Sequence, residues 1–254
     1  MNKNVITKAG IIFLLSCSLF SCKKDDDDET STSTKNTTAV PDVYKKIYGA
    51  NDMYIEGDYV VIKALGIPDH KSPYYQNTTW SASYEAYNGT GTFSQNPNKI
   101  GSQNYTFKIP LNPTKAAVSQ ATPLGPMGIC LNGVSFYNQY AGPNNQALTN
   151  EIVSFDQYGG HPDQGSRYHY HVEPTYLTSI LGKSTLVGFL LDGFPVYGPQ
   201  ENGVTITTAD LDAYHGHTHA TLEYPLGIYH YHTTSDAPYI NGSGFYGTAG
   251  TITY

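Results

Sequence analysis

Gly128-Ile129-Cys130-Leu131-Asn132-Gly133-Val134-Ser135-Phe136-Tyr137 aligns without a gap on Gly188-Phe189-Leu190-Leu191-Asp192-Gly193-Phe194-Pro195-Val196-Tyr197. Each stretch is an apolar run, an Asn-Gly or Asp-Gly pair, and a second apolar run. That pattern is a strong signal for a β-hairpin, and it predicts a turn in which both central residues take positive φ. Two further elements recur in the same order. Asp156-Gln157-Tyr158-Gly159-Gly160-His161 and Asp212-Ala213-Tyr214-His215-Gly216-His217 share the pattern Asp-x-Tyr-x-Gly-His. After them come Tyr168-His169-Tyr170-His171 and Tyr229-His230-Tyr231-His232. With 23 Tyr and 9 His in 254 residues, chance yields one such tetrapeptide on the order of 0.003 times per chain. Three elements at nearly constant spacing define two units, about 126–174 and 185–236, and predict a pseudo-twofold arrangement with equivalent elements facing each other.

The rest of the chain supports a β reading. The sequence holds 25 Gly, 15 Pro and 23 Tyr with only 14% charged residues, and no long stretch repeats at the helical period. The expectation is one mainly β, sandwich-like domain over 46–254, large enough to bury a sizeable core.

If Tyr-His-Tyr-His is a strand, side chains alternate between faces, so both histidines of a copy point one way and both tyrosines the other. His169 and His171, and likewise His230 and His232, would then stand roughly 7 Å apart, a spacing that lets two imidazoles converge on one ion. A single His-x-His pair is most simply a pair of exposed polar residues beside a tyrosine packing face. Two pairs, each preceded by a Gly-His, point instead to a transition-metal site. His161 and His217 follow glycines and are expected on flexible turns that swing a third ligand over each pair. Asp156 and Asp212 are read as acceptors that orient an imidazole, or as helix caps, capping being favoured for Asp212. Tyr168, Tyr170, Tyr229 and Tyr231 form the supporting layer around the histidines. His215 and His219 lack counterparts and are expected at the periphery. A histidine-rich set without a thiolate cluster leaves Cu(II), Zn(II) or Fe(II), with copper first because such sites bind Cu(II) most tightly.

Residues 1–21 read as an export leader: Lys3 and Lys8, then an apolar run from Ile11 to Phe20 too short to span a bilayer. Ser21-Cys22 resembles a lipobox, with Cys22 as the acylated first residue of the mature chain and the bilayer as its partner. Lys23 to Glu29 and the Ser/Thr-rich stretch behind them form a solvated tether over 22–45. A charged run directly after such a cysteine resembles a surface-export signal, which places the protein on the outer membrane facing outward. Removal of the leader leaves 12 basic against 21 acidic side chains, a balance that disfavours nucleic acid and anionic lipid as partners. Cys130, the one cysteine beyond these, lies in a hairpin strand and is expected to be a small buried residue.

These motifs resemble the YHYH-domain family. The resemblance runs from about Asp58 to the C-terminus, through Gly66-Ile67-Pro68-Asp69-His70, Asn96-Pro97-Asn98-Lys99-Ile100 with Gln103 and Ile109-Pro110, and Asp192 to Pro199. It implies His70 as a further site residue. Many relatives carry cysteine where Tyr158 and Tyr214 stand, so tyrosine packing is expected to replace a disulfide here. The resemblance supplies no reaction. A metal carrier, a metal-dependent oxidoreductase or hydrolase, and a glycan-binding module that stacks polysaccharide on tyrosines all remain open, and no catalytic residue is assigned. No Gly-x-Ser-x-Gly elbow, phosphate loop or dinucleotide fingerprint occurs.

Overall fold

Twelve of the sixteen strands among the described residues divide into two successive sets of six, and the sets are built alike. A computed structural model describes residues 39–254; the leader, Cys22 and most of the tether lie outside the described residues. Strands β1 (Ala50–Glu56), β2 (Tyr59–Ala64) and β3 (Tyr105–Pro110) come first. The first set follows: β4 (Gly128–Cys130), β5 (Ser135–Phe136), β6 (Tyr140–Ala141), β7 (Gln146–Ala147), β8 (Gly160–Pro162) and β9 (Tyr168–Tyr170). Helix α2 (Thr175–Leu181) links it to the second: β10 (Leu186–Leu190), β11 (Pro195–Tyr197), β12 (Gln200–Glu201), β13 (Val204–Thr205), β14 (Gly216–His219) and β15 (Ile228–His232). Strand β16 (Thr251–Thr253) closes the chain, and helix α1 (Asp42–Lys45) opens the described part.

The eight-stranded sheet has the order β14-β15-β11-β10-β4-β5-β9-β8, which reads the same from either end once equivalents are exchanged. At its centre β10 and β4 pair antiparallel, with Phe189 opposite Ile129, Gly188 opposite Cys130 and Leu190 opposite Gly128. The predicted pseudo-twofold therefore passes through the Ile129–Phe189 pair. A four-stranded sheet, β1-β2-β3-β16, supplies the other layer. Tyr105, Phe107 and Ile109 on β3 alternate inward along the strand and share one buried cluster with Val60, Ile62, Ile129, Phe136 and Phe189. The protein is a mainly β, sandwich-like single domain, and its core lies between these sheets.

Both hairpins form, with a different turn from the one the Asx-Gly pair implies. Only Gly133 (φ 82°) and Gly193 (φ 86°) take positive φ. Gly133 N–H donates to Cys130 O and Cys130 N–H to Val134 O, and the second hairpin repeats this at Gly193, Leu190 and Phe194. These are three-residue loops ending in a left-handed glycine. The Asx side chain folds over the loop instead: Asn132 Oδ1 accepts from Val134 N–H and Asp192 Oδ1 from Phe194 N–H.

The domain also begins earlier than the expected boundary. Asp42–Lys45 form a helical turn, and the Tyr44 ring is buried with its centroid 4.6 Å from that of Phe189. Burying an aromatic ring holds this end of the expected tether on the core. Cys130 is fully buried, and burial pushes its thiol well above the ordinary range. No helix among the described residues is long and apolar enough to cross a membrane.

Candidate metal centres

Each Tyr-His-Tyr-His copy runs along a strand, β9 or β15, with its tyrosines in the core and its histidines on the opposite face, as alternation requires. The third histidine is not on a flexible turn. His161 sits in β8 directly across from His169, and His217 sits in β14 directly across from His230. The glycine before it is needed for another reason. A Cβ at Gly160 would stand 2.5 Å from the Tyr168 ring, and one at Gly216 would stand 2.6 Å from the Tyr229 ring. The first tyrosine of each tetrapeptide crosses that glycine to reach the aspartate of the neighbouring motif. Tyr168 OH donates to Asp156 Oδ2 at 2.9 Å and Tyr229 OH to Asp212 Oδ1 at 2.9 Å.

This corrects the roles expected for the aspartates, which neither orient an imidazole nor cap a helix. Asp156 Oδ1 accepts from Tyr158 and Gly160 N–H, and Asp212 Oδ1 from Tyr214 and Gly216 N–H, so each carboxylate ties its own turn and anchors a tyrosine. The second tyrosine reaches back to the hairpin turn: Asn132 Nδ2 donates to Tyr170 OH, and Tyr231 OH donates to Asp192 Oδ2. Asp192 is fully buried, and burial lifts its carboxyl to about 6 against the pull of the Tyr231 hydroxyl and the Gly247 N–H. The three sequence elements are thus parts of one hydrogen-bonded frame.

On the other face the imidazoles converge. His169 Nε2 lies 3.1 Å from His161 Nε2 and 3.0 Å from His171 Nε2. His217 Nε2 lies 3.1 Å from both His230 Nε2 and His232 Nε2. The two sets are separate groups of atoms, so the six histidines make two tripods and not one composite site.

Backbone carbonyls orient the rings. His169 Nδ1 faces Arg167 O, His171 Nδ1 faces Asn138 O, His230 Nδ1 faces Ile228 O and His232 Nδ1 faces Gly198 O, all at 2.5–3.0 Å. A carbonyl only accepts, so these Nδ1 atoms carry the proton and the neutral rings present bare Nε2 lone pairs. His161 Nδ1 lies 2.7 Å from Ser154 Oγ, whose own proton goes to Glu151 O, which fixes the same tautomer. In the first tripod three lone pairs therefore point at one another in a buried place.

Protonation does not resolve that repulsion. Burial, reinforced by the neighbouring imidazole of His171, lowers His161 to about 3; burial lowers His171, His230 and His232 to about 4, and takes His169 well below the ordinary range. His217 is also lowered by burial, against the pull of Glu201. Each tripod has a carboxylate beside it that sequence reasoning missed. Glu151 Oε1 is 3.6 Å from His161 Nε2, while Glu201 lies 3.6 Å from both His217 Nε2 and His230 Nε2. Glu151 Oε2 and Glu201 Oε1 are buried without a hydrogen-bond partner. These two sets, His161, His169, His171 and Glu201, His217, His230, His232, have the donor types and convergence to hold a metal ion.

His70 does not join either set. It sits on the tyrosine face of the first unit, its Nε2 2.9 Å from Tyr170 OH, against the rings of Tyr158, Tyr168 and Tyr176. His215 is buried and meets Thr234 Oγ1. His219 is exposed, yet its Nδ1 lies 2.8 Å from Glu201 Oε2, which ties it to the second tripod. Much of the tyrosine surplus is core: Tyr44, Tyr74, Tyr75, Tyr105, Tyr168 and Tyr231 are all buried, so the count itself does not argue for a sugar-stacking surface.

With the tripods and their tyrosine frame in place, a comparison with protein families matches the YHYH protein model at residues 106–203 and 200–244. The chain belongs to the YHYH protein family. The matched segments cover both repeats of this YHYH protein and every histidine of the two tripods. No curated protein and no solved structure matches the chain.

Proposed function

We propose that this YHYH protein binds two divalent transition-metal ions, one in each histidine tripod. The observation that carries this reading is the bare His169 Nε2 lying 3.1 and 3.0 Å from those of His161 and His171, all three rings held by outer hydrogen bonds that keep the proton on Nδ1. Three aligned lone pairs repel one another unless a cation lies between them, and outer partners that fix tautomer and ring direction accompany metal-bound imidazoles. The affinity order of divalent ions favours copper. In the second tripod the shape favours zinc: ring centroids are 4.7, 4.9 and 5.0 Å apart, a near-equal triangle suited to tetrahedral coordination, where Cu(II) prefers a tetragonal plane; in the first they are 4.7, 4.7 and 5.7 Å apart, an unequal triangle without that preference. Zinc is therefore the ion we assign first to the second tripod, and copper, on affinity, the ion we assign first to the other. Metal analysis of the full chain, purified without a histidine tag, should find two ions per chain. Substoichiometric metal unchanged by His169→Ala and His230→Ala would sink the reading.

We further propose that the chain is exported and anchored to the outer membrane through acylated Cys22, with the domain facing outward. The leader, Ser21-Cys22 and the charged run behind it support this reading. Incorporation of labelled fatty acid, lost in Cys22→Ala, and digestion of the domain by protease added to intact cells would test the two halves separately.

A further inference from the structure

The two tripods differ in how their fourth position is supplied. Both oxygens of Glu201 approach the second tripod, and the carboxylate is one of the four groups whose ligand atoms converge within 4.8 Å. Glu201 is held there by His219. In the first tripod Glu151 approaches His161 alone and is not among the converging atoms. The strand position equivalent to Glu201 in the first unit is Ala141, at the same place in its ribbon, so the first unit has no side chain there to reach an ion.

The cavities beside the two tripods differ in size. A cavity of about 940 Å³ opens on His161, His169 and His171, and its wall carries the amides of Gln95, Asn98, Gln146 and Asn150 with the rings of Tyr137 and Tyr140. Its one cation, Arg167, is already paired with Asp163 at 2.7 Å. The cavity beside the second tripod is smaller, about 620 Å³, its wall combining Leu181 and Leu222 with Gln200 and Asn202, and Glu201 stands between it and the imidazoles. The wall of the first cavity also carries the carboxylates of Glu151 and Asp163, so with no free cation it disfavours an anion, while its amides and hydroxyls suit a ligand rich in hydroxyl groups.

We propose, on the basis of the metal reading above, that the first tripod is the ligand-exchange site of the protein. Its ion takes an oxygen of an uncharged, polyhydroxylated molecule of the carbohydrate class as an outside ligand. The second tripod is closed by Glu201 and binds no outside ligand.

Cobalt(II) tests this because its visible absorption reports coordination. The full chain loaded with cobalt alone should bind two ions and then, on titration with thiocyanate, shift the spectrum with one equivalent of anion per chain. Glu201→Ala and Glu201→Gln should each raise this to two equivalents. Cellotetraose should displace the thiocyanate from the wild-type protein, and succinate should not. Two equivalents or none in the wild-type protein would overturn the open and closed assignment, as would one equivalent in both Glu201 variants. Displacement by succinate alone, or by neither compound, would overturn the ligand class. Failure to bind cobalt at all would instead remove the metal reading on which the inference rests.

Discussion

The first and second repeats share a frame and differ in what covers it. In the first, residues 65–104 lie over the unit: Asn96 and Asn98 donate to Pro162 O beside His161, and His70 and Ser72 seal the tyrosine face. In the second, a C-terminal segment does this work: Tyr246 stacks on Tyr229 at 3.5 Å between ring centroids, and Gly247 N–H donates to Asp192. The histidines of the first tripod are all buried, whereas the His217 side chain keeps 17% exposure. A duplicated motif thus yields two sites of similar chemistry in unequal surroundings. The invariant part lies within each repeat, and the part that differs comes from outside it.

The strongest way to break this comparison is to remove one tripod at a time. His169→Ala should abolish one of the two metal equivalents and leave the other at full affinity, and His230→Ala should do the converse. The loss should exceed the roughly 10–100-fold that outer partners contribute. Calorimetric titration of both variants checks this. Loss of both ions from either single change would mean that the tripods are one coupled site.

The aspartates should separate the repeats by stability. Asp156 is buried and accepts from two N–H groups, Ser72 and Tyr168, whereas Asp212 is exposed. Burial raises the Asp156 carboxyl, opposed by His70 and by those hydrogen bonds. Asp156→Ala should cost about 3 kcal/mol because it strands buried donors, and Asp212→Ala about 1 kcal/mol or less because water replaces the carboxylate. Urea unfolding of the metal-free proteins measures both, and equal losses would show that burial does not decide the difference.

These contrasts also show what the sequence could and could not disclose. Period-two alternation puts His169 with His171 and His230 with His232, and duplication adds His161 and His217, because all of this is local pattern. Glu151 and Glu201 were invisible, since they occupy unrelated positions in the two repeats and meet the imidazoles only through long-range folding. The carbonyls of Asn138 and Gly198 carry no side-chain signature, although they occupy equivalent places one residue after Tyr137 and Tyr197. His70 was misplaced because a shared motif reports proximity to the site without saying on which face of the strand it falls.

Acid should weaken the metal-free fold through these same rings. The folded pKa values of His161, His171, His230 and His232 lie at about 3 to 4 through burial, below the ordinary 6.5. The unfolded chain therefore takes up protons that the folded chain refuses, and stability is lost as pH falls from about 6.5 towards 4. Thermal unfolding across that window should show a decline that is less steep in His230→Ala and in His171→Ala than in the parent. A flat profile would mean that the rings take up protons in the fold as readily as in the unfolded chain. Because the free rings stay neutral near pH 5, with Nε2 bare, metal affinity should change little between pH 7 and 5, unlike that of ordinary imidazoles.

The smallest expected effect on metal affinity concerns an outer partner that is a side chain. Ser154 Oγ fixes the Nδ1 proton of His161, while four other rings depend on carbonyls that substitution cannot remove. In Ser154→Ala, His161 keeps only the weak 3.4 Å contact of its Nδ1 with Asn96 Nδ2. An amide nitrogen donates, so that contact favours a bare Nδ1 and places the proton on Nε2, facing the other two lone pairs. Binding an ion then requires moving that proton, and affinity at the first tripod should fall about tenfold, or about 1.4 kcal/mol, with the second unaffected. Ser154→Thr keeps the hydroxyl and should restore binding. A fall at both tripods, or no rescue by threonine, would show that Ser154 acts through packing and not through the tautomer of His161.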